Sequence, residues 1–427
     1  MSPIPSARGC RAALLVVGLA LGSSPLLAGK RQSERQSEVA SSVPAPGTES
    51  CAPPRCAVGL AGGRLTRDGK AWVPRGAVIT GFVAPKGYIR GVYAKARESW
   101  GPLLLRQFQD VGVDTLRFNV SVAGLDPANP MGDRAMTPQR KAEYLREIVE
   151  AVDLAERYGM VSLITLTSGK PAGYPESEQV PGQEAVRAWG VLAAALSHRS
   201  SVFFNAFNEP GFRGADRVDE DPSPWSRWSE GYQLMVDAIR KTGARQVIVL
   251  NGLAGSKVWR RNAEHHVPKD PLALLAYDIH PFPTDAEQRR KGGSRKLDYY
   301  RTRDLDHWLD GWCDRHACIA SAFFTGTGGN VDKGKCYDSR KAPIDGEATP
   351  AIARDFVEYF AKRQIGVLVF AGDWPYRLFD RPGHPGARLT SYAGFNGCSG
   401  ADKAIGPGEL LRATWQAQLR AAEVPGR

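Results

Sequence analysis

The sequence of 427 residues lacks the features that mark several special classes of protein. Its 46 glycines and 30 prolines are scattered without a fixed period, which excludes collagen-like and coiled-coil architectures. It contains no Cys-X-X-Cys motif and no Cys/His spacing typical of structural zinc. Beyond the N-terminal segment, no apolar run is long enough to cross a membrane. The hydrophobic content of 42% instead predicts a globular fold with a sizeable core.

Positive charge is in excess, with 56 Lys and Arg against 45 Asp and Glu and a net charge of +11. This balance is compatible with a polyanionic partner. The basic residues lie in separate loops and form no recognisable nucleic-acid-reading motif, so we do not expect nucleic acid to be the partner.

The N-terminus has the pattern of a secretory signal. Arg8 and Arg11 precede an apolar run over residues 12–20, and small residues follow as far as Gly29. We therefore predict a bacterial-type signal peptide over residues 1–28, with an uncleaved anchor as the alternative. Residues 29–58, rich in Ser, Gln, Glu, Arg and Pro, are predicted to be a disordered linker. The expected location is secreted or periplasmic, with no membrane contact after cleavage.

Removal of the leader would remove Cys10 and leave six of the seven cysteines. An even number in an exported protein favours disulfides. The simplest pairing joins residues that are close in sequence or lie in two late loops, namely Cys51–Cys56, Cys313–Cys318 and Cys336–Cys398. Other connectivities remain open.

The rest of the chain alternates strand-like and helix-like segments. A hairpin with an Asp68-Gly69 turn is predicted over residues 65–72. Thr137 and Pro138 begin a helical pattern that ends at Gly159. Eight apolar β-type runs are predicted as strands, at residues 77–83, 113–119, 160–167, 202–207, 246–250, 272–279, 317–323 and 365–371. Eight strand–helix units predict a single-domain (β/α)8 TIM barrel over residues 59–427. A doubly wound open sheet is the alternative, although no Gly-rich phosphate turn follows the first strand.

Chemistry in such barrels lies at the carboxyl ends of the strands. The fourth strand is followed by Asn208-Glu209-Pro210, and the second contains Arg117 near its end. The sixth strand leads into His280 and Phe282, and the eighth into Asp373-Trp374. Together these motifs resemble glycoside hydrolase family 5, the cellulase-type branch of the retaining glycosidases, over about residues 65–371.

The resemblance implies a role for each of these residues in the hydrolysis of O-glycosidic bonds of a β-linked polysaccharide. Glu209 would be the acid/base, and Asn208 would hydrogen-bond the sugar 2-hydroxyl. Arg117 would orient the nucleophile. His280 and Phe282 would line the subsite, and Trp374 would stack on a sugar ring. The resemblance implies no cofactor and no metal, because carboxylates carry out this hydrolysis.

The nucleophile expected from the resemblance is missing. In the family the seventh strand ends in Glu, but here that position is Ala322, and residues 318–331 contain no Asp or Glu. Phe282 also stands where the family has a Tyr that supports the nucleophile. Without a second carboxylate we expect the pKa of Glu209 to fall. Arg117 would lack its partner, so an anionic group of the ligand is one way to neutralise it.

Three interpretations are open. The protein is a hydrolase that recruits another carboxylate, such as Asp278 or Asp373. Alternatively, it is an inactive barrel that binds polysaccharide on aromatic faces, for which the candidates are Trp225, Trp228, Trp259, Trp374 and Tyr376. In the third interpretation, Ala322 replaces a Glu in an otherwise active glucanase- or mannanase-type enzyme. In each case we expect a monomer whose partner is a polysaccharide or oligosaccharide, with an acidic one as an option.

Overall fold

The structure is a computed structural model, which describes residues 56–129, 136–168, 180–212, 223–281, 302–323, 348–393 and 405–423. Eight parallel strands in it close into a barrel, in which each strand pairs with the next along the chain and the last pairs with the first. Before the barrel come the short strands β1 (Val58–Ala61), β2 (Arg64–Arg67) and β3 (Lys70–Ala71). The barrel strands are β4 (Arg75–Ile79), β5 (Thr115–Ser121), β6 (Val161–Thr167), β7 (Val202–Asn205), β8 (Ile248–Asn251), β9 (Leu275–Asp278), β10 (Cys318–Phe323) and β11 (Gly366–Val369).

The helices lie between or after the strands, as the alternating pattern predicts. The longer ones are α1 (Val92–Ser99), α2 (Pro102–Asp110), α4 (Pro138–Arg157), α5 (Gln183–Leu196), α6 (Ser223–Lys241), α8 (Thr302–Leu309), α10 (Ala348–Lys362) and α11 (Gly408–Glu423). Single-turn helices are α3 (Val122–Leu125), α7 (Leu253–Ser256) and α9 (Trp312–Arg315), and a 3-10 helix spans Arg261–His266. The (β/α)8 TIM-barrel prediction is confirmed, and the open-sheet alternative is wrong because β11 pairs with β4.

Local signals in the sequence explain several element boundaries. The Thr137 side chain accepts a hydrogen bond from the Arg140 amide at 3.2 Å, which caps α4. The predicted hairpin forms between β2 and β3, with positive φ at both Asp68 and Gly69, as a tight two-residue turn requires. This hairpin gains β1 as a third strand, which the sequence did not indicate.

The barrel interior is built in two layers. The lower layer is apolar and includes Leu163, Phe203, Val249, Ala276 and Ile319. Each of these strands has a polar residue two positions after the apolar one. Because side chains alternate along a strand, the polar residue also faces the barrel interior. These polar residues are Thr165, Asn205, Asn251, Asp278 and Ser321, and each is buried. A polar layer therefore lies directly above the apolar one, toward the carboxyl end of the barrel.

A cluster of aromatic rings fills the space between α6 and β9. Trp225, Trp228, Trp259 and Trp312 are each 0% exposed, and the rings of Trp259 and Trp312 stack 4.9 Å apart. Trp225 and Trp228 lie on the inner stripe of α6, each seven residues before another buried residue, Tyr232 and Met235 respectively, so the helix carries them into the core. The expectation that Trp225, Trp228 and Trp259 present stacking faces to a saccharide is therefore wrong.

One predicted disulfide, Cys313–Cys318, is present with a Cα–Cα distance of 5.5 Å. Cys56 is also disulfide-bonded. Cys51, Cys336 and Cys398 lie outside the described residues, as do the predicted signal peptide and residues 29–55 of the predicted linker. None of the described helices combines the length and apolarity that a membrane crossing would need.

We expect Trp259→Ala to lower the free energy of unfolding by about 3–5 kcal/mol, because it opens a cavity in this cluster and removes the Nε1 bond to the Asp278 carbonyl. Leu234→Ala is a control on α6, since Leu234 is 40% exposed and its truncation should cost less than about 1 kcal/mol. Denaturant unfolding of both variants measures the difference. Equal stabilities would contradict the assignment of Trp259 to the core.

Candidate functional site

Asp278, at the end of β9, is the centre of a buried hydrogen-bond network. Its Oδ2 accepts hydrogen bonds from Asn205 Nδ2 at 2.6 Å, Asn251 Nδ2 at 3.0 Å and Ser321 Oγ at 2.5 Å. His280 Nε2 lies 3.1 Å from the same oxygen. The Ser321 amide donates to Oδ1 at 3.0 Å. Residues from β7, β8 and β10 thus meet on one carboxylate, which is 0% exposed.

Arg117 lies beside this network and is 1% exposed. Its Nε donates to Thr165 Oγ1 at 3.0 Å, and its Nη1 donates to the Ser321 carbonyl at 3.3 Å. Nη2 donates to Asn208 Oδ1 at 2.5 Å, and Nη1 also lies 3.1 Å from His280 Nε2. Protein oxygens therefore accept from three of the N–H groups of Arg117, and the charges of Asp278 and Glu209 act on its guanidinium, so a ligand anion is not needed to balance its charge.

The charges in this network stabilise one another. Burial raises the pKa of Asp278, but the charges of His280 and Arg117 outweigh it and hold the pKa below its usual value. Burial and the positive charge of Arg117 both lower the pKa of His280. The negative charge of Asp278 raises this pKa by more, so it lies above its usual value. Burial lowers the pKa of Arg117, whereas the negative charges of Asp278 and Glu209 raise it. The guanidinium stays protonated, as it does in other proteins.

Glu209 follows β7 with a backbone φ of 46°, which is unusual for a residue other than glycine. Its amide donates to Asn251 Oδ1 at 2.9 Å, which holds the turn in place. Its Oε1 lies 2.6 Å from His280 Nδ1, while the side chain remains 38% exposed. Glu209 thus lies beyond the carboxyl end of β7, with a partly exposed side chain.

The pKa of Glu209 lies below its usual value, as expected from the sequence. Burial raises this pKa, but the hydrogen bond from His280 and the charges of His280, Arg117 and Lys257 outweigh it. The sequence argument attributed the shift to the missing second carboxylate alone, and it missed both Lys257 and the donor role of His280. His280 lies between two carboxylates, with Nδ1 2.6 Å from Glu209 Oε1 and Nε2 3.1 Å from Asp278 Oδ2, and this arrangement favours a proton on both ring nitrogens.

Two amide side chains toward the carboxyl end of the barrel have hydrogen-bonding groups without a partner among the described residues. Asn208 Oδ1 accepts from Arg117, which leaves its Nδ2 without a partner among the described residues. Asn119 lies on β5 two residues beyond Arg117, on the same strand face, and is 8% exposed. Its Oδ1 is buried and has no hydrogen-bond partner within the described part of the chain. The sequence did not single out Asn119, although a polar residue two positions after an inward-facing arginine was the available signal.

Ala322 is 2% exposed and lies near the end of β10, whose pairing with β11 shifts register between Ala320 and Phe323. Arg117 contacts this strand through the carbonyl of Ser321, the residue just before Ala322. None of the residues of β10 is acidic. Phe282 lies outside the described residues.

Asp373 and Trp374 form a separate group around Thr80, next to β4. Asp373 is 1% exposed, and its Oδ2 accepts from the amides of Thr80 at 2.6 Å and Gly81 at 2.9 Å. Burial raises the pKa of Asp373 to about 7, against these bonds. Trp374 is half-buried, and its Nε1 donates to Thr80 Oγ1 at 2.6 Å. The described residues include no group of three His, Cys, Asp or Glu side chains suited to a metal ion.

Comparison with known proteins agrees with this geometry. The model of the family described as Cellulase (glycosyl hydrolase family 5) matches residues 94–370. The β-glucanase SdGluc5_26A from Saccharophagus degradans is 17% identical, with 90% of this chain and 99% of that chain covered at a TM-score of 0.58. A second structure of that β-glucanase is a complex with cellotetraose.

Two further solved structures have the same fold. The catalytic domain of Thermobifida fusca endoglucanase Cel5A is 15% identical, with 86% of this chain and 100% of that chain covered at a TM-score of 0.53. A GH5 cellulase from an Icelandic hot spring isolate is 14% identical, with coverage of 89% and 98% and a TM-score of 0.54. No curated protein matches the chain.

We expect Asp278→Asn to lower the free energy of unfolding at pH 7 by about 3–5 kcal/mol, because it leaves Arg117 and His280 without their buried counter-charge. The pKa of Asp278 is depressed in the folded protein, so its contribution is present above its unfolded pKa and is lost as pH falls through its folded pKa. The difference from wild type should therefore shrink below about pH 4.

Denaturant unfolding over a pH series measures this difference. Glu143→Gln is the control, because its partner Arg140 is 60% exposed and the pair should contribute less than about 1 kcal/mol. A stability difference for Asp278→Asn that stays constant with pH would contradict the ionised state of the carboxyl group.

Proposed function

Because this chain belongs to glycosyl hydrolase family 5, we propose that it binds a β-linked polysaccharide at the carboxyl end of its barrel and does not cleave it by double displacement. The observation that carries the proposal is the contact of 2.6 Å between His280 Nδ1 and Glu209 Oε1. A general acid must hold a proton at working pH. A carboxylate that accepts a hydrogen bond from a protonated imidazole, near Arg117 and Lys257, is held ionised instead.

The nucleophilic half of the reaction has no carboxylate on β10. Retaining glycosidases place two carboxyl groups roughly 5–5.5 Å apart. Ala322 has no group that can form a covalent glycosyl intermediate. Asp278 and Asp373, the substitutes suggested by the sequence, are 0% and 1% exposed, and their oxygens accept hydrogen bonds from protein groups. A sugar at the barrel mouth could reach neither without breaking those bonds.

The groups that would hold a neutral, hydroxyl-rich ligand are present. Asn208 Nδ2 is an available donor, and the partly exposed Glu209 carboxylate is an available acceptor. The half-buried Trp374 would supply an aromatic surface for a sugar ring. The cellotetraose complex of the Saccharophagus degradans β-glucanase supports a β-linked glucan as the first ligand to test.

An extracytoplasmic location is part of the proposal. The Cys313–Cys318 disulfide and the disulfide-bonded Cys56 support it, because structural disulfides persist in oxidising compartments. The signal-like sequence at residues 1–28 supports it as well.

The test compares the protein with Ala322→Glu in binding and hydrolysis of cellotetraose and mannotetraose. We expect the unaltered chain to bind one of them in calorimetry and to release no shorter product. Ala322→Glu should hydrolyse the bound ligand at least about a hundredfold faster, because it supplies a nucleophile. Its negative charge should also raise the pKa of Glu209 toward that of an acid.

Two controls separate chemistry from folding. Ala322→Gln has the same size as Glu without a nucleophile and should bind the ligand without turnover. Ala322→Glu combined with Glu209→Gln should lose the gained activity. Turnover by the unaltered chain that Glu209→Gln abolishes would overturn the proposal and assign an active hydrolase. Absence of binding to both oligosaccharides would overturn the choice of ligand class.

A further inference from the structure

A second cavity, of about 310 Å³, lies at the other end of the barrel from Glu209. The turn Gly62-Gly63 and Arg64 of the hairpin form one wall. The opposite walls are the segment 313–318, which leads into β10, and the segment 362–365, which leads into β11. The cavity is therefore at the amino end of the barrel, where neither the family resemblance nor the proposed function places a ligand.

Positive charge dominates the lining of this cavity. Its cationic or titratable basic residues are Arg64, Arg315, His316, Lys362 and Arg363, and Asp314 is its one acidic residue. Two carboxylates just outside the lining neutralise part of this charge. Glu264 pairs with Arg315 at 3.0 Å, and Asp306 pairs with Arg363 at 3.0 Å.

Arg64 and Lys362 have no such carboxylate among the described residues. The Arg64 Nη1 donates to the neutral side-chain oxygen of Gln364 at 2.7 Å, and Lys362 forms no hydrogen bond or ion pair there. Both side chains belong to exposed residues on the rim of the cavity. Two exposed cations in the lining of the cavity are thus available to a ligand.

The backbone around these cations is fixed by two features. The Cys313–Cys318 disulfide closes the short loop that carries Arg315 and His316. On the facing wall Gly63 has a φ of 71°, and a Cβ there would meet the Arg315 carbonyl oxygen at 3.3 Å. Glycine in the turn between β1 and β2 therefore permits the close approach of this turn to the loop that carries Arg315.

We propose that this cavity is a binding site for a phosphate or sulfate group, either free or carried on a saccharide. Arginine and lysine together provide the donors and charge that such oxyanions require. The volume is at the lower end of ligand pockets and accommodates a group of about monosaccharide size. The net charge of +11 adds a long-range attraction for anions. This assignment places the anion at the exposed Arg64 and Lys362, not at Arg117, which is 1% exposed.

The test measures the dissociation constants of inorganic phosphate, inorganic sulfate and glucose 6-phosphate by calorimetry at low ionic strength. We expect saturable binding that is at least about tenfold weaker in Arg64→Ala/Lys362→Ala. The control, Arg146→Ala/Lys241→Ala, removes the same net charge from exposed positions on α4 and α6 and should bind as the unaltered chain does. Thermal melting monitored by circular dichroism confirms that both variants fold.

Each result decides the assignment. Tighter binding of glucose 6-phosphate than of phosphate supports a saccharide-borne group, and equal binding supports the free ion. An equal loss in the control variant would show that net charge alone attracts the anion, and it would overturn the site. Absence of saturable binding to all three probes would also overturn it. Oligosaccharide binding at the barrel mouth should be unaffected by phosphate, so the two proposals fail independently.

Discussion

A carboxylate with no exposed surface must find its hydrogen-bond donors and counter-charges inside the protein. Asp278 finds donors on three other strands of the barrel, and its counter-charges are Arg117 and His280. Asn205 and Asn251 donate to it from β7 and β8, and Ser321 donates from β10. These contacts fix the position of His280, which follows Asp278 by two residues and holds Glu209. The orientation of the partly exposed Glu209 carboxylate thus depends, through His280, on the buried carboxylate of Asp278.

The charges at the centre of the site balance without a second carboxylate at the mouth. Arg117 and protonated His280 are positive, and Asp278 and Glu209 are negative. A glutamate at position 322 would add a negative charge next to this neutral group and favour a proton on Glu209. In the proposed function, the absence of a carboxylate at position 322 and the ionised state of Glu209 are therefore coupled, because a negative charge at that position would favour a proton on Glu209.

The eight strands were predictable because buried parallel strands form apolar runs. The residues at the ends of those runs meet at one end of the barrel, which made the positions of four site residues predictable, namely Arg117, Asn208, Glu209 and His280. Asn205, Asn251 and Ser321 were not recognised, since each lies within or at the end of an apolar run and only its partner on another strand gives it a role. The tryptophans of α6 were misassigned, because helical spacing shows which residues share a face but not whether that face meets solvent or core.

The polar layer inside the barrel also fixes strand register. A slip of one residue in β7, β8 or β10 would turn Asn205, Asn251 or Ser321 toward the surrounding helices and bury an apolar side chain against the Asp278 carboxylate. Such a slip would lower the stability of the fold, whether or not the protein turns over a substrate. Mutations at these positions would therefore be removed by selection even in a lineage that no longer cleaves its ligand, so a catalytic framework of this kind can outlast the reaction it once served.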